Sequence, residues 1–317
     1  MPLSRSSKPE TDPLSHVLAA LGTHSVRRAW LEAGGSWALS FPATQRLRFM
    51  AVVRGACWFR PAVGPARSLC AGDVVLIGNT DYVVASDPTS SPADSLPLPE
   101  MKEDRLQLGG DEVRLLGGGV AFTPGTSHLL LEMLPSSMVV ESSSDAAGAI
   151  ADLLSLLDRE AREPRLGSEA ISARLAEVLV VEAIRFHAGQ EVPGNASWLD
   201  ALADPKIGRA LHGFHADISR PWTVALLAGE AAMSRAAFSA AFLRMVGRPP
   251  LDYVRAWRLT LARARLSAGA GVATTAAEVG YSSQSAFGHA YRRFFGRAPG
   301  EHVSGDLDLE TGATGRP

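Results

Sequence analysis

Apolar residues recur along this chain with two different periods. In the first half the period is two. Leu47-Arg-Phe-Met-Ala-Val-Val53 alternates apolar with other residues, Cys57-Trp-Phe-Arg60 and Arg67-Ser-Leu-Cys70 flank the turn signal Pro61-Ala-Val-Gly-Pro65, and Ala71-Gly-Asp73 leads into Val74-Val-Leu-Ile77. Further short runs stand at Glu112-Val-Arg-Leu-Leu116 and Gly119-Val-Ala-Phe122. Strands this short, separated by turn residues, predict a β-sandwich or small barrel over 14–142. The Ser- and Pro-rich stretch 87–104 reads as a long exposed loop. Residues 1–13 are expected to be disordered, and 14–35 to start a short helix and then a strand.

From Ser143 the period becomes 3.6. Ile150, Leu153, Leu154 and Leu157 form one helix face; Ile171, Leu175, Val178, Leu179, Val181 and Ile184 form another. Two helices over 143–188 can cap a sandwich or pair with another subunit. The apolar character of 170–187 favours pairing, and hence a homodimer. A polar linker over 189–199 leads to an all-helical module over 200–303, and 304–317 is expected to be a disordered tail.

The module holds a degenerate repeat. Trp222–Phe242 and Val272–Tyr291 each read as helix, tight turn, helix, and they close with Gly247-Arg-Pro-Pro250 and Gly296-Arg-Ala-Pro299. Phe238 and Phe287 lie 49 residues apart. In the first copy Val224, Leu227, Ala228 and Ala231 make the apolar face. Ser234 stands where an N-cap belongs for the next helix, and Ser282 or Ser283 does the same in the second copy. Phe238 with Phe242, and Phe287 with Tyr291, are i, i+4 core pairs, which leaves the opposite face of each helix free for a groove. Between the copies Leu251–Leu266 reads as one helix, with Leu251, Val254, Trp257 and Leu261 on one face and Arg255, Arg258, Arg263 and Arg265 elsewhere. It spans roughly 24 Å, which suits two recognition helices about one DNA turn, 34 Å, apart.

Composition narrows the choice. At 317 residues, 46% hydrophobic and 20% charged, the chain has room for two ordinary globular domains. No apolar run approaches the roughly 20 residues of a membrane helix, and the first residues show no signal-peptide core. Two cysteines fit a reducing cytosol. A cytoplasmic, nucleoid-associated protein with no membrane partner is expected. The net charge of −2 hides an asymmetry: 200–303 carries 13 Lys+Arg against 7 Asp+Glu, a net of +6, which leaves a net of −8 on the rest. A basic module beside an acidic one suggests that only the C-terminal part meets a polyanion, here double-stranded DNA. Only three lysines occur, so nearly all positive charge is Arg, which suits phosphate forks.

Residues from about 201 to 302 resemble the DNA-binding domain of the AraC/XylS family of bacterial regulators. The matching residues are Trp222-Thr223, Met233-Ser-Arg235, Phe238, Phe242, Gly247, Pro250, Tyr253, Arg258, Val279-Gly-Tyr281, Phe287, Phe294-Phe-Gly296 and Pro299. Residues from about 12 to 187 are similar to the cupin-type sensor domain of one branch of that family, through Gly72-Asp73, Arg114-Leu-Leu-Gly117 and Gly167-Ser-Glu169. The resemblance implies an α+β chain: a cupin-like sandwich or barrel with following helices, then an all-α double helix-turn-helix. It implies exposed positions at Arg235, Ala236, Ser239 and Ala240 in the first recognition helix and at Ser285, Ala286, His289 and Arg292 in the second. Alanine can meet only a thymine methyl, whereas Ser, His and Arg reach base edges or phosphates. Modest direct readout is therefore expected, with Arg235, Arg244, Arg292 and Arg293 supplying phosphate affinity. Three residues depart from the pattern. Ala232 replaces a turn glycine, Thr275 an aliphatic core residue, and Val303 an Arg that often follows the closing aromatic.

In related sensor domains a His commonly stands where this chain has Met50, and another where it has Tyr82. No metal and no cofactor are therefore expected. Met50, Trp58 and Tyr82, with Phe59, line either an apolar core or an effector pocket. Cys57 and Cys70 would be cross-strand neighbours in a hairpin centred near Val63-Gly64, either a candidate redox pair or two small apolar residues. The reading is a sequence-specific transcription regulator, not an enzyme, that senses a small molecule or a redox signal and engages promoter DNA, with RNA polymerase as a partner if it activates. The rival is a cupin-type metalloenzyme carrying an accessory DNA-binding domain.

Overall fold

The computed structural model describes residues 14–15, 17–18, 24–25, 29–44, 46–91, 105–122, 127–144, 147–163, 165–188 and 198–303. The segments expected to be disordered, most of the 87–104 loop and most of the 189–199 linker lie outside the described residues. The chain divides into two compact units, one built on 23–122 and 130–193, the other on 194–317 with 1–22 and 123–129.

The first unit is a two-sheet sandwich. Its strands are β1 (His24–Ser25), β2 (Ala29–Ala33), β3 (Ala38–Phe41), β4 (Leu47–Arg54), β5 (Ala56–Pro61), β6 (Arg67–Cys70), β7 (Val74–Ile77), β8 (Tyr82–Ala85), β9 (Arg105–Leu108), β10 (Val113–Ala121) and β11 (Ser137–Val140). One sheet runs β11-β7-β4-β10-β2-β9 with β1 also on β10; the other runs β3-β8-β5-β6. The core lies between them. It takes Met50 and Val52 from β4, Cys57 and Phe59 from β5, Val75 and Ile77 from β7, and Tyr82 and Val84 from β8. The period of two is the cause, since alternate residues of a strand point to opposite faces. All four residues of β7 are buried, because the outer face of that sheet is covered as well.

The cover is α2 (Ala147–Arg162) and α3 (Ser168–Ala188), which follow α1 (Ser127–Met133). α3 packs on β7, β10 and β11, and α2 packs on α3 and β4. Of the two roles expected, the helices take the capping one on their buried face. The buried face of α3 is Ser172, Ala176, Leu179, Val180, Ala183 and Ile184, whereas Ile171 and Val178 are exposed. Small Ser and Ala side chains let the helix approach the sheet, so the buried stripe is rotated away from the one drawn through the large residues. The two runs expected around Gly117–Gly119 are one continuous strand, β10, because β4 pairs with it through all three glycines and β2 as far as Gly117.

The second unit is all-helical: α4 (Trp198–Ala203), α5 (Ile207–Ala216), α6 (Val224–Glu230), α7 (Arg235–Val246), α8 (Pro250–Ser267), α9 (Val272–Glu278), α10 (Gln284–Phe295) and a short 3₁₀ turn at Pro299–Val303. Its first helix begins at Trp198, inside the stretch expected to be linker, and buries Trp198 and Leu199. α8 is the continuous central helix, but its buried surface is broader than one stripe. Tyr253, Val254, Ala256, Trp257, Leu259, Thr260, Ala262 and Leu266 are buried, while Leu251 is exposed.

Thr275, the departure from an aliphatic core residue, is fully buried on α9 and its Oγ1 has no hydrogen-bond partner. An unpaired buried hydroxyl costs roughly 1–3 kcal/mol. Thr275→Val keeps the shape and removes that cost. It is expected to stabilise the unit by about 1 kcal/mol, read as a higher denaturation midpoint at unchanged slope; a lower midpoint would show that the hydroxyl is satisfied.

Candidate nucleic-acid interface and sensor cavity

The two copies are built alike from their caps outward. Thr223 Oγ1 accepts from Leu226 N at 3.2 Å and starts α6; Ser234 Oγ accepts from Ala237 N at 3.3 Å and starts α7. In the second copy Ser283 Oγ accepts from Ala286 N at 3.1 Å, so Ser283 and not Ser282 is the cap. Gly247 and Gly296, both left-handed with φ of 77° and 74°, end α7 and α10. The ring pairs Phe238–Phe242 and Phe287–Tyr291 both sit 5.4 Å apart and are buried.

The turns are alike in conformation but not in length. Ala232 has φ +52°, the sole positive φ outside glycine among the described residues, and Gly280 has φ +82°. Met233 N bonds Ala228 O in the first turn and Tyr281 N bonds Ala276 O in the second, both at 2.9 Å. From that left-handed residue to the serine cap is one residue more in the second copy, so the recognition helices align on Ser234 and Ser283. Counted from those caps, the face opposite the buried rings is Ala236, Ala237, Ala240, Leu243 and Arg244 in α7, and Ser285, Ala286, His289, Arg292 and Arg293 in α10. All ten are exposed. The second set contains all five residues expected there. In the first, Ala236, Ala240 and Arg244 lie on the outward face, whereas exposed Arg235 and half-buried Ser239 lie on its flank. The sequence pattern misses Ala237, Leu243 and Gln284, the last exposed at the position matching Arg235; counting from the two caps finds all three.

Electrostatics separates two classes of arginine. Arg220 pairs with Glu230 and Arg255 with Asp252, each at 3.0 Å, and Arg265 pairs with Glu278. Among the described residues Arg235, Arg244, Arg292 and Arg293 have no ion pair, and all four are exposed on α7 or α10. Arg258 belongs to neither class. It is half-buried and donates to Ile218 O at 2.9 Å, Arg220 O at 2.6 Å and Gly280 O at 3.2 Å. It thereby ties α8 to the loop before α6 and to the second turn.

In the first unit a cavity of ≈ 280 Å³ opens between the sheets. Met50 and Tyr82 line it, but Trp58 does not. Trp58 is half-buried on the other face of β5, and its neighbour Phe59 is the inward residue, with its ring 5.6 Å from that of Tyr82. The cysteine pair fails for a related reason. Cys57 opposes Leu69 and Cys70 opposes Ala56, so the hairpin is centred on Val63. That one-residue shift puts the two side chains on opposite faces of the sheet. Cys57 is buried, and burial followed by the charge of Asp73 pushes its thiol up to about 12. Cys70 is exposed, with Sγ 3.4 Å from Asp73 Oδ2. The candidate redox pair is therefore not a bridgeable pair.

Known proteins agree with both halves. Residues 12–189 match the cupin family and residues 227–304 match a helix-turn-helix domain family. An AraC-like transcription regulator of Streptomyces lividans is 36% identical over 296 residues, covering 92% of this chain and 97% of that protein. The chain belongs to the AraC family. The HTH-type transcriptional regulator AlkR of Acinetobacter baylyi is 28% identical over 91% of this AraC-type chain and 97% of its own length. Among solved structures, an AraC-type transcriptional regulator from Chromobacterium violaceum matches at 25% identity and a TM-score of 0.32, over 34% of this chain and 98% of that one. Among the described residues no helix is long and apolar enough to cross a membrane.

Proposed function

We propose that this AraC-type regulator binds promoter DNA by laying α7 and α10 in successive major-groove segments, under the control of a small molecule held in the sandwich cavity. The observation that carries the DNA reading is the placement of unpaired arginine. Arg235, Arg244, Arg292 and Arg293 stand on the two recognition helices, while Arg220, Arg255 and Arg265 nearby are neutralised by carboxylates. The two helices offer different chemistry. Ala236, Ala237, Ala240 and Leu243 of α7 present only apolar groups, which favour thymine methyls. Ser285, His289 and Arg292 of α10 present hydrogen-bonding groups, and Gln284 at its first turn can bond adenine. Much of the specificity in the first half-site then comes from DNA shape. Homodimerisation is assigned to the exposed Ile171 and Val178 side of α3, and RNA polymerase is a partner where the bound protein activates.

Selection of bound DNA from a random pool at stated salt should return sites with two elements about 10 base pairs apart. In the same assay Arg235→Ala with Arg292→Ala should weaken specific and non-specific binding together. The slope of log K against log salt should fall by roughly 2, since each phosphate neutralised by an arginine accounts for about 0.9 of it. An unchanged slope would mean that neither arginine neutralises a phosphate.

A further inference from the structure

We propose that the sandwich cavity is a site for a small apolar monocarboxylate, with its carboxylate against Arg48. The assignment rests on the reading of the first unit as a sensor and names the chemistry it senses. The void has a sequence cause. Gly117 and Gly119 pair with Met50 and Arg48 across β10 and β4, and at these positions of the cavity wall they bring no side chain. Leu31, Leu39, Met50, Val84, Leu106 and Leu115 make the rest of the wall largely apolar.

Arg48 breaks that apolar lining. It shares its face of β4 with the core residues Met50 and Val52, so the strand carries a cation toward the interior. Its guanidinium lies 4.6 Å above the Tyr82 ring, and Tyr82 stacks on Phe41 at 4.8 Å. One N–H bonds Thr80 O at 3.1 Å, while Nε is buried without an acceptor. Thr44, also on the wall, has a buried Oγ1 without a partner. No carboxylate among the described residues forms an ion pair with Arg48. The nearby Asp81 accepts from Ala43 N at 2.6 Å instead. The charge of Asp81 reaches Arg48 only through space, a part-buried cation with no carboxylate in contact is costly, and a planar guanidinium fork fits a carboxylate better than any neutral group. An apolar body bearing one carboxylate fills the apolar wall, gives Arg48 a carboxylate in contact and offers Thr44 an acceptor. Exposed Arg46 on the same wall adds attraction for the incoming anion.

The test is calorimetric titration of the full-length protein with straight-chain acids from butyrate to decanoate and with phenylalkanoates, beside the primary amide of each. At least one acid should bind, with its amide roughly 10- to 100-fold weaker. Arg48→Gln should bring the acid down to the affinity of the amide. Gly117→Val should abolish both at a wild-type melting temperature, because a Cβ there meets nothing closer than Ala29 O at 3.8 Å and the side chain fills the void. Acid and amide binding alike, or an acid indifferent to Arg48→Gln, overturns the carboxylate assignment, and the acid–amide comparison needs no variant. Amides that bind and are blocked by Gly117→Val leave the sensor reading standing while this proposal falls. If no probe binds and Gly117→Val leaves promoter affinity unchanged, both fall.

Discussion

A C-terminal fragment beginning at Asp200 is expected to melt far below one beginning at Gly194. The difference lies in Trp198 and Leu199, which are 2% and 1% exposed. α4 packs on α5 and α7. The Trp198 indole N–H donates to Tyr253 Oη at 2.9 Å, and the same hydroxyl bonds His215 Nε2 at 2.8 Å. Tyr253 also packs edge-on against Phe214 and Phe242, so the indole closes an aromatic cluster joining α4, α5, α7 and α8. Removing a buried Trp costs roughly 3–5 kcal/mol and a buried Leu roughly 2–5. Even with partial collapse of the site the loss is about 5 kcal/mol, comparable to the whole stability of many domains. Chemical denaturation of the two fragments, followed by circular dichroism, gives the comparison. In the full chain Trp198→Phe should cost about 1–2 kcal/mol for the lost hydrogen bond, and Trp198→Ala more than twice that. Coincident melting of the two fragments would show that α4 is not part of the fold.

That helix is hidden in the sequence because a short polar stretch precedes it and one Trp-Leu pair gives no period. Most of the fold is legible where periodicity is long. The strands around Val74–Ile77 and Leu47–Val53 and the Ser234 cap follow from apolar runs and side-chain chemistry alone, whereas the choice of Ser283 over Ser282 does not. The failures are equally physical. Adjacent residues of a strand face opposite ways, so Trp58 and Phe59 cannot both point inward, and Phe59 is the one that does. A hairpin register one residue off separates Cys57 from Cys70. On α3, Ser172, Ala176 and Ala183 are buried because they are small, a preference that hydrophobicity does not record. The 49-residue offset of Phe238 and Phe287 already aligns the recognition faces of α7 and α10, and the structure adds that the second turn is one residue longer. Arg258 is the largest omission. Its spacing marks it as one more basic residue, and only the carbonyls around it show a structural clamp.

That clamp sets the second large effect. Gly280→Ala should destabilise the DNA-binding unit by about 3 kcal/mol or more, while the matching change in the first turn, Ala232→Gly, should be neutral or stabilise it by up to about 1 kcal/mol. Both positions are left-handed, which for alanine costs roughly 1–2 kcal/mol. Their surroundings differ. Ala232 is exposed, and the chain already tolerates its methyl. A Cβ on Gly280 would lie 2.4 Å from Ser219 O and 2.8 Å from Arg258 Nη2. To relieve that overlap the second turn must move away from the loop before α6, and Arg258 cannot then keep its bonds to Ile218 O, Arg220 O and Gly280 O together. Losing charge-assisted bonds to half-buried carbonyls adds roughly 1.5–3 kcal/mol. Because α10 follows this turn directly, its placement relative to α7 shifts as well. Gly280→Ala should therefore weaken binding to a two-element site more than to a single half-site, even at temperatures where the variant is fully folded. Denaturation midpoints with slopes, and affinities for the whole and the half site, supply the four numbers needed. A cost near 1 kcal/mol with unchanged preference for the two-element site would mean that the left-handed conformation alone selects glycine, and that Arg258 does not fix the distance between the two recognition helices.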